Sequence, residues 1–374
     1  MNELSVSDVA RARLLSLLLA DPDIACADLP VAASAGQVAR WFGAMQAQDL
    51  ASGKWSFGVR LPGFSEADID AAIESGEVLR TWPMRGTIHF VPPDDARWML
   101  ELTGVKALNG AARRREYLGL DLATVEAAAS VLETTLRGGG KLTRAEAVAV
   151  LTDAGISGAG QRGYHLLWYC SQIGVTCIGP NIGKEQTFVL LDEWAPQQQS
   201  FDRAQALTEL AFRYFRSHGP TTVKDFAGWT GLSMADARAA VAGNDGRLAR
   251  AQFRGAQVWM GEHAAAAIGD GSLARAQGAV VLPGFDEFVL GFKDRSVQIP
   301  DEHKDAIIPG GNGIFRSTVV IDGRTMGTWT RSLKKARVDV TVLPFQPLTA
   351  RQSRAVSHAF DDYGRYLGLP VVMA

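Results

Sequence analysis

Val78-Leu79-Arg80-Thr81-Trp82-Pro83-Met84-Arg85-Gly86-Thr87-Ile88-His89-Phe90-Val91 reads as a β-hairpin, and the elements that precede it decide the fold. Its pattern alternates and is broken at Pro83 and Gly86, as two short strands about a turn require. Three helical patterns come first. Over residues 6–20, Val9, Leu14, Leu15, Leu18 and Leu19 recur at helical spacing. Over 34–45, Val38, Trp41, Phe42 and Met45 share one side, and Ser65-Glu66-Ala67-Asp68 caps a third helix carrying Ile69, Ala72 and Ile73. Three helices followed by a hairpin is the order of a winged helix.

The order recurs twice. Thr143 and Glu146 are placed as cap and N3 partner of a helix, a second helix follows over 164–172, and strands at 175–178 and 187–190 flank Pro180-Asn181-Ile182-Gly183. Further on, residues 203–217 are amphipathic, Thr221 and Ser233 can cap two short helices, and strands at 247–253 and 256–260 flank Arg254-Gly255. From about Ala279 the character changes to β-rich runs (280–282, 314–321, 327–330, 338–343) with Asp322-Gly323 as a hairpin turn and a helix over 349–367. Residues 301–313 read as an exposed loop. The expected fold is α+β: winged helices at 1–118, 119–199 and 200–275, then a small C-terminal β-barrel with a closing helix at 276–374.

Composition is that of an ordinary globular chain of 374 residues, 47% hydrophobic and 21% charged. No apolar run is long enough to span a bilayer, and residues 14–20 are too short and badly flanked for a signal peptide. Cys26, Cys170 and Cys177 are too few for a disulfide framework, which points to a reduced, cytoplasmic setting. A net charge of −2 weighs mildly against nucleic acid, but a basic face can coexist with an acidic remainder. Arg113-Arg114-Arg115 and the group Lys334, Lys335 and Arg337 are candidate phosphate contacts; each also reads as solvated surface.

The chain lacks a phosphate-binding glycine loop, zinc-ligand spacing and a Gly-x-Ser-x-Gly elbow, so nucleotide hydrolysis, metal hydrolysis and Ser-His catalysis lose ground, and neither metal nor cofactor is expected. Met45-Gln46-Ala47-Gln48-Asp49 lies where a helical pattern stops. Inside a helix, positions i and i+2 diverge by about 200°. In extended chain Gln46 and Gln48 can face one cleft while Ala47 packs inward; the alternative is a polar helix end in solvent. On the hairpin's second strand Ile88 and Phe90 share the core face, while Thr87 and His89 face outward. Arg80 and Arg85 beside them favour phosphate binding.

Gln46-Ala47-Gln48, Arg80 to His89, Leu282-Pro283-Gly284-Phe285-Asp286-Glu287-Phe288, Asp294-Arg295-Ser296, Asp322-Gly323-Arg324 and Gly327-Thr328-Trp329 together resemble the AlkZ-like winged-helix DNA glycosylases over nearly the whole chain. The resemblance implies tandem winged helices and a C-terminal β-barrel around a basic channel, binding double-stranded DNA as a monomer away from membranes. It also implies Gln46 and Gln48 as catalytic residues. A sister branch carries Asp at the second position; this chain has Gln48 and falls on the Gln-Gln side. The implied reaction is monofunctional hydrolysis of the glycosidic bond of alkylated purines, and for some members the unhooking of interstrand crosslinks. A purine alkylated at N7 or N3 is already cationic and leaves without a general acid, so two neutral amides suffice to orient water and sugar. The competing expectation is a non-catalytic winged-helix DNA-binding protein or regulator, although no dimerisation helix is evident.

Overall fold

Arg85 and Gly86 both adopt positive φ, +54° and +69°, and Arg254-Gly255 and Asp322-Gly323 do the same. Consecutive left-handed residues form the mirror-image turn whose twist matches paired strands, which is why a residue followed by Gly tips three hairpins. The computed structural model describes residues 3–20, 33–311 and 313–373; Cys26 lies outside them. The protein is mixed α+β and divides into two compact units, Met1–Asp70 with Leu207–Ala374, and Ala71–Ala206. No helix among the described residues is long and apolar enough to cross a membrane.

In the second unit the hairpin strands Leu79–Met84 and Thr87–Val91 do not stand alone. Leu79–Met84 pairs with Thr176–Ile182 through Arg80 and Ile178, and Glu185–Leu190 and Leu142–Thr143 follow, so the first two hairpins share one antiparallel sheet. The second hairpin turns at Gly183-Lys184, later than Pro180 and Asn181 suggested, because a bulge between Gly179 and Ile182 carries the proline within its strand. Trp82, Val125, Leu132, Leu151, Leu166 and Phe188 form the core under this sheet. Cys170 and Cys177 are buried; desolvation pushes the Cys170 thiol up to about 12 and that of Cys177 higher, so both pack as inert apolar groups.

In the first unit, helix α1 (Val6–Ser16) is opened by the reciprocal cap of Ser5 and Asp8. Its inner face, Val9, Ala12 and Leu15, packs against Phe253, Val258, Met260, Ala264 and Ala267. The backbone N–H of Leu4 donates to the carbonyl of Gln252 at 2.8 Å, docking the chain start onto the third hairpin, Ala249–Phe253 with Ala256–Met260. Helix α2 (Ala35–Phe42) is capped by Ser34 and ends at Gly43. The C-terminal part is a curled sheet of five strands, Ala279–Leu282, Thr318–Ile321, Arg324–Leu333, Val338–Pro344 and Val371–Met373. It is a half-barrel: Ala279–Leu282 and Val371–Met373 remain its edges, so the expected barrel does not close. The helix Ala350–Leu367, with Thr349 and Gln352 as its capping box, buries Val356, Phe360 and Tyr363. The stretch 301–313 is not wholly loop, since Asp301–His303 and Lys304–Ile307 form short helical turns.

Candidate active site around the Gln-x-Gln motif

Gly43, at φ +81°, stops α2, and the chain leaves it extended. Met45–Gln46 forms the short strand β1, and Asp49 caps helix α3 (Leu50–Gly58) by accepting from the Ala51 N–H at 3.2 Å and the Ser52 hydroxyl at 2.8 Å. The Gln-x-Gln motif therefore occupies a non-helical corner between two helices, and its neighbouring carboxylate is spent on the cap.

The two glutamines are not equivalent. Gln46 is only 8% exposed, Ala47 is buried and Gln48 is exposed. The side-chain carbonyl of Gln46 turns back and accepts the backbone N–H groups of Ala47 and Gln48 at 3.2 and 3.3 Å. One amide carbonyl thus braces the corner, while the other glutamine stands at the surface.

Behind the motif lies a buried polar cluster. The Gln46 backbone N–H donates to Glu287 Oε1 at 3.2 Å. Glu287 is 2% exposed; its Oε2 accepts the Trp229 indole N–H at 2.9 Å and lies 3.3 Å from His218 Nε2. Tyr214 stacks on the His218 ring at 4.5 Å. The adjacent Asp286 takes a two-pronged grip from Arg60 at 2.8 and 2.9 Å and accepts from the Ser56 hydroxyl at 2.8 Å and the Phe288 N–H at 2.9 Å. Burial pushes the Asp286 carboxyl up, but the Arg60 guanidinium and these hydrogen bonds win and hold it below the usual carboxylate range. Trp55 on α3 donates to the Val281 carbonyl and Trp329 to that of Leu282, at 2.8 and 2.9 Å. Phe285 adopts φ +65°, which costs an L-residue about 1–2 kcal/mol. A Cβ on Gly284 would stand 2.5 Å from the Phe315 carbonyl, so only glycine fits there. The residues 281–288 thus form a strained corner, pinned by these hydrogen bonds, against the corner that carries the glutamines.

The expected DNA contacts are spread differently. His89 is fully buried, with Nδ1 2.9 Å from the Thr87 carbonyl, because its strand is covered on both faces at that point; the outward orientation read from alternation does not hold. Arg80 is buried as well, donating to the Gly179 carbonyl at 3.2 Å and to Asn181 at 2.7 Å. Arg85 is exposed at the hairpin tip, and Thr87 is half-buried with its hydroxyl 3.3 Å from the Met84 carbonyl. Arg113 and Arg114 are exposed and Arg115 half-buried on helix Ala112–Tyr117, with Arg114 over Tyr117 and Arg115 over Tyr169. Lys334, Lys335 and Arg337 are exposed between strands Arg324–Leu333 and Val338–Pro344, with Arg337 paired to Asp339 at 2.7 Å. Arg80 to Arg115 belong to the second unit, and Gln46, Gln48 and the lysine group to the first.

Sequence reasoning took in Asp286 and Glu287 only as part of a resemblance and passed over Arg60, His218 and Trp229. The signal that could have found them was two adjacent carboxylates inside Leu282-to-Leu290, an otherwise apolar stretch, since buried charges require partners.

The model of the family described as DNA glycosylase AlkZ-like matches residues 39–366. A curated relative from Streptomyces sahachiroi, an interstrand DNA cross-link repair glycosylase, is 26% identical over 315 residues, covering 76% of this chain and 79% of its own. The solved structure of the S. sahachiroi DNA glycosylase AlkZ superposes over the full length of both chains with a TM-score of 0.79 at 22% identity, a likeness of fold.

Proposed function

The chain belongs to the AlkZ-like family of DNA glycosylases, and from that premise we propose that it hydrolyses the N-glycosidic bond of cationic N7- or N3-alkylated purines, including purines tied into interstrand crosslinks. The observation that carries the reading is the placement of Gln46-Ala47-Gln48 outside regular helix, with Gln48 exposed and Gln46 braced beneath it. No carboxylate of the motif is available as a base, because Asp49 caps α3. That suits a leaving group already positively charged. The bond from the sugar C1′ to the base nitrogen breaks, the electron pair leaves with the base as it becomes neutral, and water adds to C1′ and loses its proton to solvent. Gln48 supplies a carbonyl that orients the water. Gln46, whose carbonyl is engaged, supplies its amide N–H groups. Both act by positioning and fixed dipoles.

The helix-and-hairpin units are read as winged helices that hold the duplex, with Arg85, Arg113, Arg114, Lys334 and Lys335 as exposed phosphate contacts. The named activity of the S. sahachiroi relative supports the crosslink part of the reading. The test is single-turnover release of N7-methylguanine and of an N7-linked crosslink. Replacing Gln46 and Gln48 together by Ala is expected to slow release by about 100-fold or more. Undiminished release by that variant sinks the assignment, and DNA binding without release by the wild type turns the reading to a non-catalytic DNA-binding protein.

A further inference from the structure

We infer that Glu287 is a positioning residue for the Gln-x-Gln motif: its buried carboxylate holds the Gln46 backbone and thereby sets where the two glutamine amides stand. The inference rests on the reading of that motif as the reacting centre.

Three observations carry it. The Gln46 N–H donates to Glu287 Oε1 at 3.2 Å, at the one short strand between α2 and α3. The other oxygen is fixed independently, by the Trp229 indole at 2.9 Å and by His218 at 3.3 Å in the tautomer that carries its proton on Nε2. A carboxylate only accepts, so both its oxygens can serve a ring of donors; a glutamine of the same shape would turn an NH2 group toward one of them. Finally, Asp286 grips Ser56 and Arg60, which follow the motif, so two consecutive carboxylates hold the chain at the start of Gln46-Ala47-Gln48 and beyond it.

The cost of this arrangement argues for its purpose. Burying a carboxylate costs several kcal/mol, and apolar packing of equal volume serves stability as well or better. What apolar packing cannot do is fix a backbone N–H in direction and distance. Gln46 then relays that position, because its own carbonyl holds the N–H groups of Ala47 and Gln48. A displacement of about 1 Å at a reacting group costs on the order of 100-fold in rate.

The experiment uses the full chain and a duplex containing N7-methylguanine. Glu287→Gln is expected to lower the single-turnover rate at saturating enzyme about tenfold or more, with DNA affinity within twofold of wild type. In a Gln46→Ala background, which keeps the backbone N–H but removes the side-chain relay, the same change is expected to slow release less than in the wild type, since part of its effect passes through the Gln46 amide. Trp229→Phe, which removes a donor to Glu287 and keeps the carboxylate, is expected to show a smaller loss and the same non-additivity. It serves in place of Glu287→Gln if that variant does not fold. A folded Glu287→Gln with the wild-type rate overturns the inference, as does a loss that multiplies with that of Gln46→Ala. Amide hydrogen exchange at Gln46 needs no substrate and separates this inference from the functional reading. Protection in the wild type, lost in Glu287→Gln, with no base release by the wild type, condemns the functional reading alone. Equal exchange in both proteins condemns the positioning role whatever the activity.

Discussion

The cluster behind Gln46 and the basic helix Ala112–Tyr117 use charge in opposite ways. Asp286, Glu287 and Arg60 are almost wholly buried, and each is held by several hydrogen bonds. Arg113 and Arg114 stand on the surface, and the ring beneath Arg114, Tyr117, is itself 78% exposed. A buried charge acts over a few ångströms, keeps its geometry and is little affected by salt. An exposed guanidinium acts across a Debye length, adapts its rotamer and is screened. The difference separates two tasks: holding a reacting corner still, and attracting a polyanion of any sequence.

Beyond the loss of release on removing both glutamines, the largest effect is expected at Arg60. Arg60→Ala leaves Asp286 buried without its cation, and a loss of about 3–5 kcal/mol of unfolding free energy is expected from urea titration. A loss below about 1 kcal/mol would mean that the pair is not the tight, dry contact that the comparison assumes.

The next effect is a pH dependence within the same unit. His263 is buried beside Trp41, with Ser16 at 3.2 Å from Nε2, and desolvation followed by the nearby Arg216 lowers its pKa to about 4. An unfolded histidine titrates near 6.5, so on acidification the unfolded state takes up a proton that the folded state refuses. The stability contribution is complete above about pH 6.5 and is lost as pH falls toward 4, by up to about 3 kcal/mol. His165 acts in the same direction, lowered by burial and then by Arg115 and Arg114. Chemical denaturation at pH 7 and pH 4.5 measures this, and His263→Gln should flatten most of the difference; an equally steep loss in that variant removes His263 as the cause.

The smallest effect is expected on the other side of the comparison. Replacing Arg113, Arg114 and Arg115 by Ala should leave stability and single-turnover release at saturation unchanged and make log K for DNA less dependent on log salt, by about 0.9 for each phosphate that is no longer neutralised. The set Lys334, Lys335 and Arg337 should behave alike. An unchanged salt slope in both sets would take these residues out of the DNA interface.

Local order proved legible wherever it rests on local physics. Ser65, Thr143 and Ser233 cap helices as their sequences suggest, the cap read at Thr221 falls one residue on at Thr222, which pairs with Asp225, and the three turns before Gly86, Gly255 and Gly323 follow from the freedom of glycine at positive φ. The exit of Gln46 from helix was only partly readable: the apolar period runs on to Met45, whereas the helix stops at Phe42 because Gly43 takes a positive φ and Met45–Gln46 is extended. The burial of His89 was not, since alternation identifies one apolar face and cannot reveal that the other is also covered. The strand Val371–Met373, parallel to Val338–Val340, escaped for a related reason: three residues carry no period.

While the helices Leu50–Gly58 and Leu122–Leu136 went unread, the sequence by itself determined the three hairpins, the capped helices at Thr143 and Ser233 and, through its motifs, the family. Each of these depends on residues within a few positions of one another, or on a pattern kept in order along the chain. Tertiary structure alone decided that α1 docks on the hairpin Ala249–Met260, that the first two hairpins share one sheet, and that Glu287 meets Gln46 across 241 positions of chain. Packing and buried charge choose their partners by three-dimensional fit, and no spacing along the chain encodes which donor a buried carboxylate will find.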